Sequence, residues 1–291
     1  MKPAQRPTNP TSGALFGLLA FGLFATHDVL LKILGGSHSV FQIAFMTSAF
    51  ALPLVIGLHL FDQPGGSLQP KNPKWMAARV LVAMFVTPAI FYSFTVLKLT
   101  EVYAILFSTP LFVTALSVPV LKEKVGVYRW GAVFVGFLGV VWVIQPGVSP
   151  IGIGHATALF GAFGAAIAFV IVRKIGSQER KAVMIGYPLI TNVISMGLLL
   201  PFVYKPVGVP ELGLAVVMSV LGSTAMLSIL AAYKRAEAVV VAPMQYSQIL
   251  WALFFGWVFF AESLDSNVGV GSAIIVSSGI FILWRENRSY G

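Results

Sequence analysis

Cysteine is absent from the 291 residues, and charge is scarce: Asp, Glu, Lys and Arg together make up 10%. The first absence excludes disulfides and thiolate metal sites. The second excludes a soluble globular domain, where charged residues make up about 25%. No Gly-x4-Gly-Lys-Ser/Thr loop occurs, so nothing in the chain cradles the phosphates of a nucleotide. His27, His38, His59 and His155 are scattered, without a His-x3-His or His-Glu spacing, and no metal or cofactor is expected.

Apolar residues fill the space instead, at 57% of the chain. A hydrocarbon core about 30 Å thick takes about 20 such residues per helix. Ten runs suit that length: Thr11–Leu34, Val40–Phe61, Trp75–Leu97, Val102–Leu121, Val127–Ile144, Gly152–Val172, Ala182–Tyr204, Leu212–Tyr233, Ala238–Ala261 and Val268–Trp284. Between them stand turn residues or charge, as at Gly35-Gly36, Gln63 to Gly66, Lys122 to Lys124 and Pro206 to Pro210. The expected fold class is an all-α integral membrane protein with ten transmembrane helices, and no room is left for a soluble catalytic domain.

The net charge of +9 is a matter of orientation. With the N-terminus inside, 16 of the 19 Lys and Arg residues, Arg79 among them, fall on the cytoplasmic side, against only Lys32, Lys98 and Lys205 on the other. That bias predicts a multi-pass protein of the bacterial inner membrane with both termini cytoplasmic. The basic residues are spread over separate segments and not gathered on one face, which excludes nucleic acid as a partner. The first apolar run is long enough to span and lacks a small-x-small cleavage site, so it reads as a helix and not as a signal peptide.

An internal repeat runs through the spans. Lys98-Leu99-Thr100-Glu101 is answered by Lys234-Arg235-Ala236-Glu237 at an offset of 136, Glu123 by Glu262 at 139, and Gly131 and Gly139 by Gly271 and Gly279 at 140. The unit holds five helices, so the second copy enters the membrane from the opposite side. The predicted units are residues 1–145 and 146–291, two inverted five-helix repeats. Inverted repeats give a transporter two near-equivalent states with the substrate site near the midplane.

The pattern Glu123, Gly131, Gly139-Val140, repeated as Glu262, Gly271, Gly279-Ile280, resembles the EamA branch of the drug/metabolite transporter superfamily, as does the small-residue sixth span closed by Arg173-Lys174. The resemblance covers nearly the whole chain. It implies a secondary active transporter, an exporter by family habit, that moves small organic metabolites such as amino acids or related compounds. A proton gradient or solute exchange would drive it by alternating access. Many relatives carry an Arg inside the second span; here Gln42 to Thr47 has none, which disfavours an anionic substrate held there. A passive channel and a membrane enzyme are the alternatives, the latter the weaker because the acids do not cluster. The oligomeric state, monomer or homodimer, stays open.

Of the ten acidic residues, only Asp28 lies well inside a span, about 21 Å along the core counted from Ala14. A charge at depth costs about 2.5–3.5 kcal/mol. Asp28 therefore reads as a substrate or proton site, or as a partner of Lys32 one turn on; an Asp-x3-Lys pattern also resembles part of the family. His27, next to it, is a second proton-coupling candidate because imidazole titrates near neutrality. In the ninth span Gln245, Gln248 and Ala252 share a stripe, with Pro243 and Trp251 nearby; in the fourth, Tyr103, Phe107, Pro110, Thr114 and Ser117 do so, with Thr109 answering Gln248. These stripes are expected to line a cavity or to bond helices together. Tyr92 and Asn192 complete the expected substrate-binding set. The small residues of the sixth span, Gly154, Ala158, Gly161, Ala165 and Ala168, read as close packing, as do the four repeated glycines, while Trp75, Trp130 and Trp284 read as interface anchors.

Overall fold

The computed structural model describes residues 9–62, 67–122, 125–145, 151–176, 178–236, 238–263 and 265–288. Glu123 and Glu237, two markers of the repeat, lie outside the described residues, as do the turn at residues 63–66 and Lys124. The described residues are helical, with no strand among them. In order, the helices are α1 (Pro10–Gly35), α2 (Val40–Asp62), α3 (Pro73–Val96), α4 (Leu99–Leu106), α5 (Thr109–Leu121), α6 (Val127–Ile144), α7 (Ile153–Ile175), α8 (Lys181–Val203), α9 (Val209–Arg235), α10 (Ala238–Val241), α11 (Gln248–Phe260) and α12 (Ser266–Arg288), with a 3-10 segment, Ala242–Ser247, between α10 and α11.

Among the described residues, seven helical stretches are long and apolar enough to cross a membrane, and Trp130–Ile144 and Ser266–Ile282 are shorter apolar helices. The expected ninth span departs furthest from an unbroken helix, being split into α10, the 3-10 segment and α11. The fourth span also breaks, at Phe107 and Ser108 between α4 and α5. Proline chemistry accounts for the latter. Pro110 has no N–H to offer the Leu106 carbonyl, and the Thr109 hydroxyl donates to that carbonyl instead at 2.6 Å. The Ser108 hydroxyl likewise donates to Ile105 O at 2.6 Å.

Small residues set how closely the helices approach. A Cβ on Gly271 of α12 would lie 2.8 Å from the Gly139 carbonyl of α6, so those two backbones touch. Gly154, Gly161 and Gly164 of α7 leave room for the side chains of Val96, Ile90 and Val86 of α3. Among the repeated glycines, Gly131 is the exception to the expected packing role, since a Cβ there would meet open space. Other extensive contacts join α1 to α9 and α2 to α8.

Polar clasps close the bundle at both ends. Where α1 gives way to α2, buried Gln42 donates to Lys205 O at 2.7 Å and accepts from Lys205 N at 2.9 Å, while Lys205 Nζ donates to Ser37 O at 2.8 Å. At the other end Glu179 accepts from Asn72 N at 2.7 Å, from Asn72 Nδ2 at 3.1 Å and from Lys71 N at 3.1 Å. Desolvation alone would raise the Glu179 carboxyl, but these bonds and the charge of Lys71 outweigh it and hold the group below its ordinary value. A depressed carboxylate stabilises the fold fully above its unfolded value and loses that effect as pH falls through the folded value. Glu179→Gln should thus lower the melting temperature of the detergent-solubilised protein at neutral pH, and the deficit should shrink below the ordinary value of 4.5. A deficit that stays constant with pH would contradict this account.

Candidate functional site

A cavity of about 340 Å³ opens between α1, α2, α3, α8 and α9. Its size is that of a small-metabolite pocket. His27 comes from α1, Thr47 and Ser48 from α2, Arg79, Thr87 and Phe91 from α3, Pro188 and Asn192 from α8, and Met218, Ser219 and Ser223 from α9. The lining is largely apolar, with a few polar groups held by local bonds. Asn192 Nδ2 donates to Thr87 Oγ1 at 3.1 Å, and the Ser219 hydroxyl donates to Thr47 O at 2.7 Å, tying α9 to α2.

Behind His27 stands a hydrogen-bonded cluster. His27 Nδ1 and Asp28 Oδ1 are 2.8 Å apart, and the Tyr103 hydroxyl donates to Asp28 Oδ2 at 2.6 Å. A carboxylate only accepts, so Nδ1 carries the proton and Nε2 is left as the ring's second polar atom. The side chain of Gln248 also reaches the Tyr103 hydroxyl. Tyr103 is buried and packs edge-on against Phe94, with ring centroids 5.3 Å apart, and Phe107 packs edge-on against Tyr246 at 5.2 Å. Asp28 is thereby bound to α4, with α11 next in line, by the polar groups of the two stripes.

The alternative partner for Asp28 is corrected by the geometry. Lys32 Nζ pairs with Glu262 Oε1 at 3.0 Å and also donates to Leu97 O. Glu262 Oε2 in turn accepts from Leu99 N at 3.0 Å, at the first residue of α4, where the helix dipole favours a negative charge. One Lys–Glu pair thus joins α1, the α3–α4 corner and the end of α11. His27 does share in the Asp28 cluster, although adjacent residues on a helix diverge by about 100°.

Of the residues singled out from sequence, His27 and Asn192 line the cavity. Asp28, Tyr103 and Gln248 form the cluster behind it. Phe107 and Thr109 are buried at the break between α4 and α5, and Gln245 lies in the 3-10 segment. Tyr92 sits on α3 outside the lining, and Trp251 is partly exposed and stacked on Phe255 at 5.7 Å. The cavity therefore lies beside the two polar stripes and not between them. The residue whose place at the cavity sequence reasoning missed is Arg79. Counted with the loop charges, it stands inside α3 and faces the cavity. Its place four residues past Trp75, within the expected third span, was the available signal.

The model of the EamA-like transporter family matches residues 11–145 and again residues 152–284. The chain is 26% identical over 273 residues to the S-adenosylmethionine uptake transporter of Rickettsia felis, covering 94% of this chain and 92% of that protein. It is 26% identical over 286 residues to the riboflavin transporter of Vibrio cholerae serotype O1, covering 97% and 96% respectively. A solved crystal structure with 16% sequence identity superposes with a TM-score of 0.65 over 97% of this chain and 99% of its own, which shows a shared fold.

The Lys32–Glu262 pair gives a direct test of the geometry. Removing one partner of a buried pair leaves the other charge uncompensated, at a cost of up to about 3–5 kcal/mol, whereas replacing both costs much less. Lys32→Met should therefore reduce thermal stability more than the double change Lys32→Met with Glu262→Gln. Simple additivity of the single changes would show that the two side chains do not pair.

Proposed function

The chain belongs to the EamA-like transporter family, and from that premise we propose that it is a secondary active transporter that moves a small organic metabolite by rocking two inverted halves. It is a multi-pass membrane transporter and not an enzyme. The observation that carries the finer reading is the position of the cavity, whose walls come from α1, α2 and α3 of one half and α8 and α9 of the other. Relative motion of the halves would change access to it.

Several features support ten crossings arranged as two repeats, residues 1–145 and 146–291. The family model matches twice. The break at Phe107 and Ser108 is answered by Tyr246 and Ser247, at the end of the 3-10 segment, at the offset of 139. Lys122 and Ala261, also 139 apart, both adopt the left-handed conformation (φ 59° and 51°) as they close α5 and α11. Packing partners exchange under the same correspondence: α1 with α9 becomes α7 with α3, while α2 with α8 and α6 with α12 map onto themselves. An odd number of helices per repeat makes the relation an inverted one.

His27 and Asp28 are the proposed coupling groups. Protonation of Nε2 converts the ring to a cation beside a carboxylate already hydrogen-bonded to it, so proton and substrate would compete or cooperate at one wall of the cavity. For substrate, the relatives named for S-adenosylmethionine and riboflavin favour a metabolite with a nitrogen heterocycle over a plain amino acid. The name of the first favours uptake, against the export expected from family habit. The positive-inside bias supports cytoplasmic termini.

Proteoliposomes loaded with riboflavin or S-adenosylmethionine test this reading. The expected result is counterflow of labelled solute, accelerated by an imposed pH gradient. Uptake with neither counterflow nor a response to the gradient would identify a passive facilitator. Asp28→Asn should reduce gradient-driven transport at least tenfold while leaving membrane insertion intact, and native kinetics at every pH would remove Asp28 from the coupling role.

A further inference from the structure

Arg79 stands in the cavity wall without a carboxylate partner among the described residues. A guanidinium near the membrane interface ordinarily turns outward and snorkels to the headgroups. This one reaches inward, its Nε donating to Met184 O at 3.3 Å and its Nη1 to Ala168 O at 3.4 Å. The first of these carbonyls is free for a reason legible in the chain: its helical partner would be the N–H of residue 188, which is a proline. Both bonds are long, and a guanidinium has five N–H donors, so three remain for an anion.

Asn192, 5% exposed, is on the same wall system. Its Nδ2 is anchored on Thr87, while its Oδ1 is buried with no hydrogen-bond partner. The lining also carries Phe91, Met218 and Met226, an aromatic ring with two polarisable thioethers. No acidic side chain is part of the lining.

We propose that Arg79 holds the anionic group of the transported molecule against this apolar, aromatic lining, so that the substrate class is a small aromatic organic anion or zwitterion. An Arg in the third span thus does the work that the second span, lacking one, cannot. The proposal rests on the reading of this cavity as the transport site.

The test uses ligand-induced thermal stabilisation of the purified protein, with probe pairs that differ in the anionic group: nicotinate and nicotinamide, indole-3-acetate and indole-3-acetamide, riboflavin 5′-phosphate and riboflavin. The anionic member of at least one pair should bind about ten- to a hundredfold more tightly than its neutral partner, the range of a charge-assisted bond. Arg79→Gln should erase that preference and Arg79→Lys keep part of it. The measurement on the native protein needs no variant, and equal binding within every pair, or none by any anion, overturns the proposal. A cavity-filling change, Ser223→Phe, separates the two levels. Binding lost on filling, with anion preference unchanged by Arg79→Gln, overturns the role of Arg79 alone; binding that survives filling overturns the transport-site reading as well.

Discussion

Hydrocarbon offers no hydrogen bonds, so every backbone carbonyl released by a proline or a broken helix must find a donor within the protein. The local features around the cavity follow from that constraint. Pro110 releases Leu106 O and the Thr109 hydroxyl takes it. Pro188 leaves Met184 O without its helical donor, and Arg79 takes it from another helix. The α3–α4 corner exposes Leu97 O and Leu99 N, and Lys32 and Glu262 answer them together. In each case the compensating group is a side chain with polar capacity to spare, which is how backbone repair becomes a polar surface.

The same constraint explains why the charges come in small closed sets. Asp28 gathers His27 and Tyr103; Lys32 gathers Glu262 and Leu97 O, and Glu262 accepts from Leu99 N. Each set draws on several helices, so the polar groups fix which helices are neighbours, while glycine and alanine contacts fix how near they come. Arg79 is the member of this system whose hydrogen bonds go to neutral carbonyls, with no carboxylate partner among the described residues, and with His27 it faces the cavity.

The helical membrane class was legible because the apolar runs are long, and their boundaries agree with the observed helices within a few residues at most ends. Small-residue faces were legible for a similar reason: Gly154 and Gly161 have the spacing of a packed stripe and are packed. Tertiary choice among equivalent partners was not legible. Lys32 is one turn from Asp28, yet the closer sequence neighbour loses to Glu262, which also caps α4. The break between α4 and α5 follows from Pro110, but Pro53, Pro88 and Pro188 sit within helices that continue, so proline alone does not announce a break. The cavity lay beyond sequence reasoning because helical stripes report which face is inward, and several inward faces meet other helices instead of space.

The pair of Lys32 and Glu262 has a kinetic side. It locks α11 to α1 and to the α3–α4 corner, and both side chains are largely withdrawn from solvent, at 14% and 10% exposure. Pulling these helices apart would leave an ammonium and a carboxylate without each other's compensation until water reaches them. The bundle can part at this end only as water enters to receive the two charges. Wetting and opening are consequently one event there, and the barrier to it is set by hydration more than by the stiffness of the helices.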